Sequence, residues 1–300
     1  MSLVSLVKIP LDTDNSLKQA INESLALINF TFDNKVKKIV IKPNLCYYWD
    51  YTTGQTTQPH FVAELIDIIR LQTSSNVDIA IVESDASAMR CKYAFRMLGF
   101  EKLAQEKNVR LVNLSEDQNS NVDIDCNGCN YSFSVPKSIA DADLRVNIAH
   151  IKYTNDPIKL TCALKNIFGC NPYQKKYKFH SDLENVIVAL NKLMKFDLCI
   201  VDNNIASGVQ PRKLGLVMAS KDPVALDVVA AKIAWLNPKK IRYLSLAERE
   251  GVGSSNYVLK GDPLEFFRDL YPKASPSMKF RGQMKKSLVG LGLGKRLGLE

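Results

Sequence analysis

Three short apolar runs set the strongest limit on how this chain can fold. Val36-Lys-Lys-Ile-Val-Ile-Lys42, Val77-Asp-Ile-Ala-Ile-Val82 and Val109-Arg-Leu-Val-Asn-Leu114 are rich in β-branched residues. That composition predicts buried strands. Between them, His60 to Leu71 and Tyr93 to Lys107 carry helical periodicity, with Pro59 near the first start and an interruption near Gly99. Residues 36–114 therefore predict β-loop-α-β-α-β, a parallel sheet with crossover helices. Strands covered on both faces read as continuous apolar runs, as these do.

The ends of the runs are as informative as their interiors. The first stops at Lys42-Pro43-Asn44 and the second at Glu83-Ser84-Asp85. In open α/β sheets, the carboxyl edge of the strands is where ligands bind. The segment Tyr47 to Pro59, rich in Thr, Gly and aromatics, is expected to be a loop at that edge. No GxGxxG or GxxxxGK[ST] occurs, so there is no nucleotide fingerprint.

Upstream, residues 4–9 predict a first strand and Ser16 to Ile28 an amphipathic helix. Residues 115–137 break the alternation and predict a β-hairpin excursion turning at Asn127-Gly128. The hairpin carries Cys126 and Cys129. A tetrahedral zinc or cluster site needs a second such pair, and the chain has none, so these two are expected to be ordinary thiols of a turn.

Arg145 to Ala149 predicts a strand leading into His150 to His180, which crowds Lys152, Lys159, Lys165, Asn166 and Asn171 among apolar residues. Leu160, Leu164, Ile167 and Phe168 have helical spacing, so a short helix closing at Gly169 is expected, with Lys165 and Asn166 in its last turn. A lysine there either snorkels to solvent or is held for a purpose. Leu183 to Met194 predicts a helix, and Phe196 to Asp202 a strand ending in an acid. Gly208 to Gly215 reads either as a basic loop offering Arg212 to an anion or as a hairpin-type connection. Leu216 to Ser220 predicts a strand. Asp222-Pro223 opens a helix running to Trp235, and Ile241 to Glu250 predicts another.

The order of these pieces resembles a known family. Ile39-Val-Ile-Lys-Pro-Asn-Leu45, Thr56-Thr-Gln-Pro59, Glu83, Lys152, Thr161-x3-Lys165-Asn-x2-Gly169 and His180 come first. Val201-Asp202, the 208–215 segment, Ala219-Ser-x-Asp-Pro-Val-Ala-Leu-Asp227 and Gly251-Val-Gly253 follow. Together, over about 36–255, they resemble the domain-of-unknown-function family numbered 362. The resemblance implies a fold and a cluster of polar positions, without a settled reaction. Many relatives carry a ferredoxin-like domain with repeated CxxCxxC, which is absent from this sequence, so electron transfer is not implied. Relatives often have Lys-Thr-His where this chain has Lys152-Tyr153-Thr154.

The expected architecture is a single α/β domain over 1–272, mostly parallel, with helices on both faces, followed by a basic, glycine-rich tail over 273–300. The formal net charge of +9 favours anionic partners. Nucleic acid is not expected, because no recognition module occurs and the excess charge concentrates in the tail. The tail is expected to be solvated, with weak peripheral contact to acidic membrane or contact with a partner as the alternatives. Seven scattered cysteines, no run of about 20 apolar residues and no basic leader fit a cytoplasmic protein.

The expected function is an enzyme acting on a small anionic metabolite, a carboxylate or phosphate, in a lysine-lined cleft. Lys165, Glu83, Asp202 and His180 are the expected catalytic residues; Lys42, Asn44, Lys152, Asn166 and Arg212 the expected ligand contacts. Glu83 or Asp202 would serve as base or as ligand to a divalent metal. Two alternatives stand beside this reading: a non-catalytic anion-binding protein, and a metal- or iron-sulfur-associated one.

Overall fold

The computed structural model describes residues 1–10, 16–74, 76–154 and 156–273. The basic, glycine-rich segment from 274 onward lies outside the described residues.

The strands are β1 (Ser2–Lys8), β2 (Lys38–Lys42), β3 (Asp78–Glu83), β4 (Arg110–Asn113), β5 (Asn119–Cys126), β6 (Cys129–Pro136), β7 (Leu144–Ala149), β8 (Lys152–Tyr153), β9 (Leu160–Thr161), β10 (Leu198–Ala206), β11 (Arg212–Ser220) and β12 (Tyr257–Gly261). Eight of them form one sheet in the order β12-β1-β11-β10-β7-β2-β3-β4. Pairing is parallel from β10 through β7, β2 and β3 to β4, and between β1 and β12. It is antiparallel where β11 meets β10 and β1. The fold is thus α/β with a mostly parallel sheet.

Alternation along the strands feeds two cores, one on each face. Ile39 and Ile41 of β2, Ile79 and Ile81 of β3, and Val146 and Ile148 of β7 face one way. They pack under the helices Ser16–Leu27, Pro59–Gln72, Cys91–Met97 and Phe100–Glu106. Val40, Ala80, Val82 and Ala149 face the other way, under Leu183–Leu193, Pro223–Ile233 and Arg242–Arg249. Each fully buried Ile or Leu contributes about 1.5–3 kcal/mol, which is why both faces must be covered. Asp222 caps the Pro223–Ile233 helix, accepting from Val224 N at 2.8 Å and Ala225 N at 3.1 Å.

The hairpin turns where its residues require. Asn127 and Gly128 both have positive φ, 52° and 76°, and Cys126 pairs across the turn with Cys129. All seven cysteines are free.

Three expectations need correction. The strand expected to stop at Asp202 runs on to Ala206. The following strand starts at Arg212, not Leu216, and Ala206 pairs with Arg212, so of the two readings of 208–215 the hairpin connection is the one found, with its second half already strand. The helix expected to close at Gly169 is α-helical only over Ala163–Asn166 and tightens into a 3₁₀ turn over Ile167–Cys170. The edge strand β12 was not expected; its half-buried, mixed residues lack a strand's apolar run.

Candidate functional site

Lys42 and Glu83 are the last residues of two adjacent parallel strands, so their side chains meet at the carboxyl edge. Lys42 Nζ donates to Glu83 Oε2 at 2.7 Å and to Pro43 O at 2.8 Å. The other carboxylate oxygen accepts from Ser84 N at 2.9 Å. Both side chains are almost fully buried. Gly169 lies against this pair: a Cβ there would sit 3.0 Å from Lys42 Nζ and 3.1 Å from Glu83 Oε1.

A second group hangs from β7 and the small ribbon beyond it. Lys152, in β8, donates to Asn44 Oδ1 at 2.6 Å and to Gln55 O at 2.9 Å. Asn44 Nδ2 donates to Asn166 Oδ1 at 2.9 Å. The Asn166 amide in turn donates to Asn147 Oδ1 at 2.7 Å and Ile148 O at 3.0 Å. A continuous hydrogen-bonded chain therefore runs from the Lys152 ammonium to the end of β7.

The short helix carrying Lys165 and Asn166 is too brief to hold itself in place. Asp227, fully buried on the Pro223–Ile233 helix, accepts from Ala163 N at 2.7 Å and Leu164 N at 3.1 Å. Burial pushes the Asp227 carboxyl up to about 7, against the lowering effect of those two N–H groups.

Both groups border one cavity of about 660 Å³, with Asn147 and Asp227 behind its lining. Lys42, Lys152, Lys165 and Lys176 all line it, with Asn44, Asn166, Thr161 and His180. Glu83 is the one carboxylate side chain in its lining among the described residues. Lys165 makes no hydrogen bond or ion pair among the described residues; its Nζ lies 4.2 Å from the centre of the Phe168 ring. Burial, then the neighbouring Lys152 charge, bring it down to about 8. Lys176 donates to Ser84 Oγ at 2.8 Å and to the Asp85 carbonyl. Burial brings it too down to about 8, with Glu83 opposing. Burial also lowers Lys152, and the nearby Lys42 charge adds to the effect. Thr161 Oγ1 is buried and has no hydrogen-bond partner among the described residues.

Two expected site residues lie elsewhere. Asp202 is buried mid-strand in β10, accepts from Gln58 N at 2.8 Å and does not line the cavity. Arg212 is exposed at the start of β11, also off the cavity. Conversely, Lys176, Asn147 and Asp227 were not foreseen as parts of the site. Lys176 hides among Lys175 and Lys178, and only the fold turns it inward. Asn147, a polar residue inside an otherwise apolar strand, was the one signal in the sequence that a buried amide network awaited it. Among the described residues no three His, Cys, Asp or Glu side chains are grouped as metal ligands.

This combination, a lysine-lined cavity at the carboxyl edge of a mostly parallel α/β sheet, defines the class of protein. A domain of unknown function, DUF362, matches residues 39–232, and the chain belongs to that family. A thylakoid-associated protein of Synechocystis sp. is 32% identical over 129 residues, covering 39% of this chain and 40% of the relative. The chain thus matches well under half the length of that curated relative. The lactate racemase apoprotein from Thermoanaerobacterium thermosaccharolyticum superposes with a TM-score of 0.44 at 11% identity, covering 78% of this chain and 57% of that one. A likeness so distant bears on no residue of the cavity. No helix among the described residues is long and apolar enough to cross a membrane.

Proposed function

We propose that the cavity binds a small anionic metabolite and that the protein acts on it as an enzyme. The observation that carries this reading is the charge imbalance of the lining: four lysines against one glutamate. Two like charges 4 Å apart repel by about 4 kcal/mol at an effective dielectric of about 20. An assembly of buried ammonium groups is stable in use only with counter-charge among them, and Glu83 is already spent on Lys42. The surplus favours an anion bearing more than one charge, a phosphate monoester or a dicarboxylate. The unpartnered Thr161 hydroxyl supplies a further contact.

Within this reading the lysines divide by role. Lys42 and Lys152 are fixed by hydrogen bonds and hold the anion. Lys165 and Lys176, both near 8, lie close to working pH, which suits proton transfer. Lys165, with no acid to neutralise it, is the catalytic residue we assign, as electrophile or, in its neutral form, as base. His180 lines the same cavity and is assigned a supporting catalytic part in this reading. The reading also sets the protein in a reducing compartment such as the cytoplasm, supported by its seven free cysteines.

Titration calorimetry with inorganic phosphate and with malonate, on wild type and Lys165→Met, tests the proposal, followed by turnover assays on phosphorylated and carboxylated metabolites. Binding weakened by about ten- to a hundredfold in Lys165→Met, with turnover in wild type, is expected. Binding without turnover makes this an anion-binding protein. No anion binding in wild type ends the reading.

A further inference from the structure

We infer that the ligand carries a planar ring, seated at the cavity mouth on Tyr47, Trp49 and Tyr177, while its dianionic head reaches the lysines. The inference rests on the anion reading above and adds to it the other half of the molecule.

The three aromatic side chains line the same cavity as the lysines. They are 45%, 49% and 61% exposed, unusual for rings that could be buried. The Tyr47 and Trp49 rings lie 5.3 Å apart at 53°, forming a cleft wall rather than two separate surface groups. Three of the four exposed rings elsewhere among the described residues carry a cation, Tyr93 being the exception. Tyr173 has Lys178 over its face, Trp235 has Arg268 and Lys273, and Phe266 has Lys8. Among the described residues no cation lies over Tyr47, Trp49 or Tyr177, although four lysines line the cavity they border.

The loop that carries them is built to hold them there. Tyr48, between the two rings, accepts from Arg90 N at 2.8 Å through its hydroxyl. Asp50, immediately after Trp49, caps the next turn through Thr52 N at 2.9 Å. Tyr47 itself sits at φ 54°, a left-handed conformation that a bulky residue adopts only when its surroundings impose it. A strained, pinned loop that keeps two large rings in water beside a cationic floor is pre-organised for a flat partner. An anion too small to leave the lysines would use none of it.

Two matched pairs of ligands separate the ring from the head: methyl against phenyl phosphate, and methylmalonate against phenylmalonate, titrated calorimetrically into the full chain at pH 7. The phenyl member of the pair that binds is expected to be tighter by about tenfold, the scale of one good aromatic contact. Which pair binds tells a phosphate head from a dicarboxylate. In a Trp235→Phe background, the phenyl ligand should quench Trp49 emission. Trp49→Leu should bring the phenyl-to-methyl affinity ratio down toward one. Tyr47→Asn, whose new side chain tolerates the left-handed backbone, should do the same without lowering the thermal midpoint. Equal affinity within both pairs, or a ratio that survives both substitutions, overturns the ring while the anion site stands. Absence of binding by all four ligands overturns both.

Discussion

Two parts of the same sheet treat similar carboxylates in opposite ways. In the parallel part, β2 and β3 end at Lys42 and Glu83, and the chain leaves the sheet there. The edge stays open and becomes the cavity. In the antiparallel part, β10 runs on past that level through Asp202 and returns through β11. The turn at Gly54 then presses on that returning hairpin: a Cβ on Gly54 would lie 2.5 Å from Ser207 N. Asp202 is sealed beneath, holding Gln58 N, with His150 Nε2 3.5 Å away and no hydrogen bond to either ring nitrogen among the described residues. Glu83 holds a lysine at the rim of an open cavity; Asp202 staples a loop. Where a strand stops decides whether its last acid is available for chemistry.

The sealed end should be the less forgiving of the two. Gly54 has φ 67° and its neighbours are backbone atoms that cannot yield. Gly54→Ala is expected to cost about 3 kcal/mol or more, read from urea unfolding. At the open end, Lys165→Met should weaken anion binding by about ten- to a hundredfold, the worth of one charged contact, with stability equal or higher because a desolvated charge is gone. A large loss of stability in that variant would mean Lys165 holds the fold. Gly169→Ala comes next. Its neighbour is the flexible end of Lys42, so about 1 kcal/mol is expected, with anion affinity reduced because the Lys42–Glu83 pair shifts. Should Gly54→Ala prove the milder of the two glycine variants, the contrast between sealed and open ends is wrong.

The open end should also show itself by pH. Lys165 and Lys176 are near 8 in the folded protein and near 10.5 when unfolded. Below 8 both states hold the protons and the cost of burying the charges is fully present. Between 8 and 10.5 the unfolded chain binds more protons, so these two groups make the ligand-free protein more stable as pH rises. Anion affinity should move the other way, falling above about pH 8 as the ammonium groups are lost. Calorimetric midpoints and anion titrations from pH 7 to 10 check both slopes, and Lys165→Met should flatten each. Affinity constant to pH 10 would show that neither lysine contributes charge to binding.

The part of the site that was legible in the sequence follows the same contrast. β2 and β3 are apolar runs with abrupt polar ends, so Lys42, Asn44 and Glu83 could be placed at an open edge before any coordinates. Lys152, Lys165 and Asn166 stood out as polar groups in apolar company. Asp202 looked identical to Glu83 by that rule. Nothing local distinguishes a strand that ends from one that continues through Asn203, Asn204 and Ile205 into a hairpin. Lys176 was lost for the opposite reason: within Lys175-Lys176-Tyr177-Lys178 each lysine looks solvated, and only long-range packing buries one of them. Asp227 does its work on a helix remote in sequence from the one it holds, so its partner was invisible to pattern.

The smallest effect is expected at the hairpin, which belongs to neither end of the sheet. Cys126 and Cys129 flank its turn, but their settings differ: Cys126 is buried, its sulfur beside Asn185 O of the Leu183–Leu193 helix, and Cys129 is exposed. Burial pushes the Cys126 thiol up to about 11, so it is protonated at neutral pH and poorly suited to bind metal. Its thiol donates to Asn185 O at 3.7 Å, a contact that a serine hydroxyl on its shorter C–O bond keeps only if the backbone closes in by a few tenths of an ångström. Cys129→Ser should therefore be neutral within about 0.5 kcal/mol. The double Cys→Ser variant should lose about 1 kcal/mol, the cost of a partly satisfied hydroxyl in an apolar site. Anion affinity should not change, since neither residue borders the cavity. Stoichiometric zinc or iron in protein purified without oxygen, lost in the double variant, would give the hairpin a function of its own and remove the basis for treating these thiols as structural.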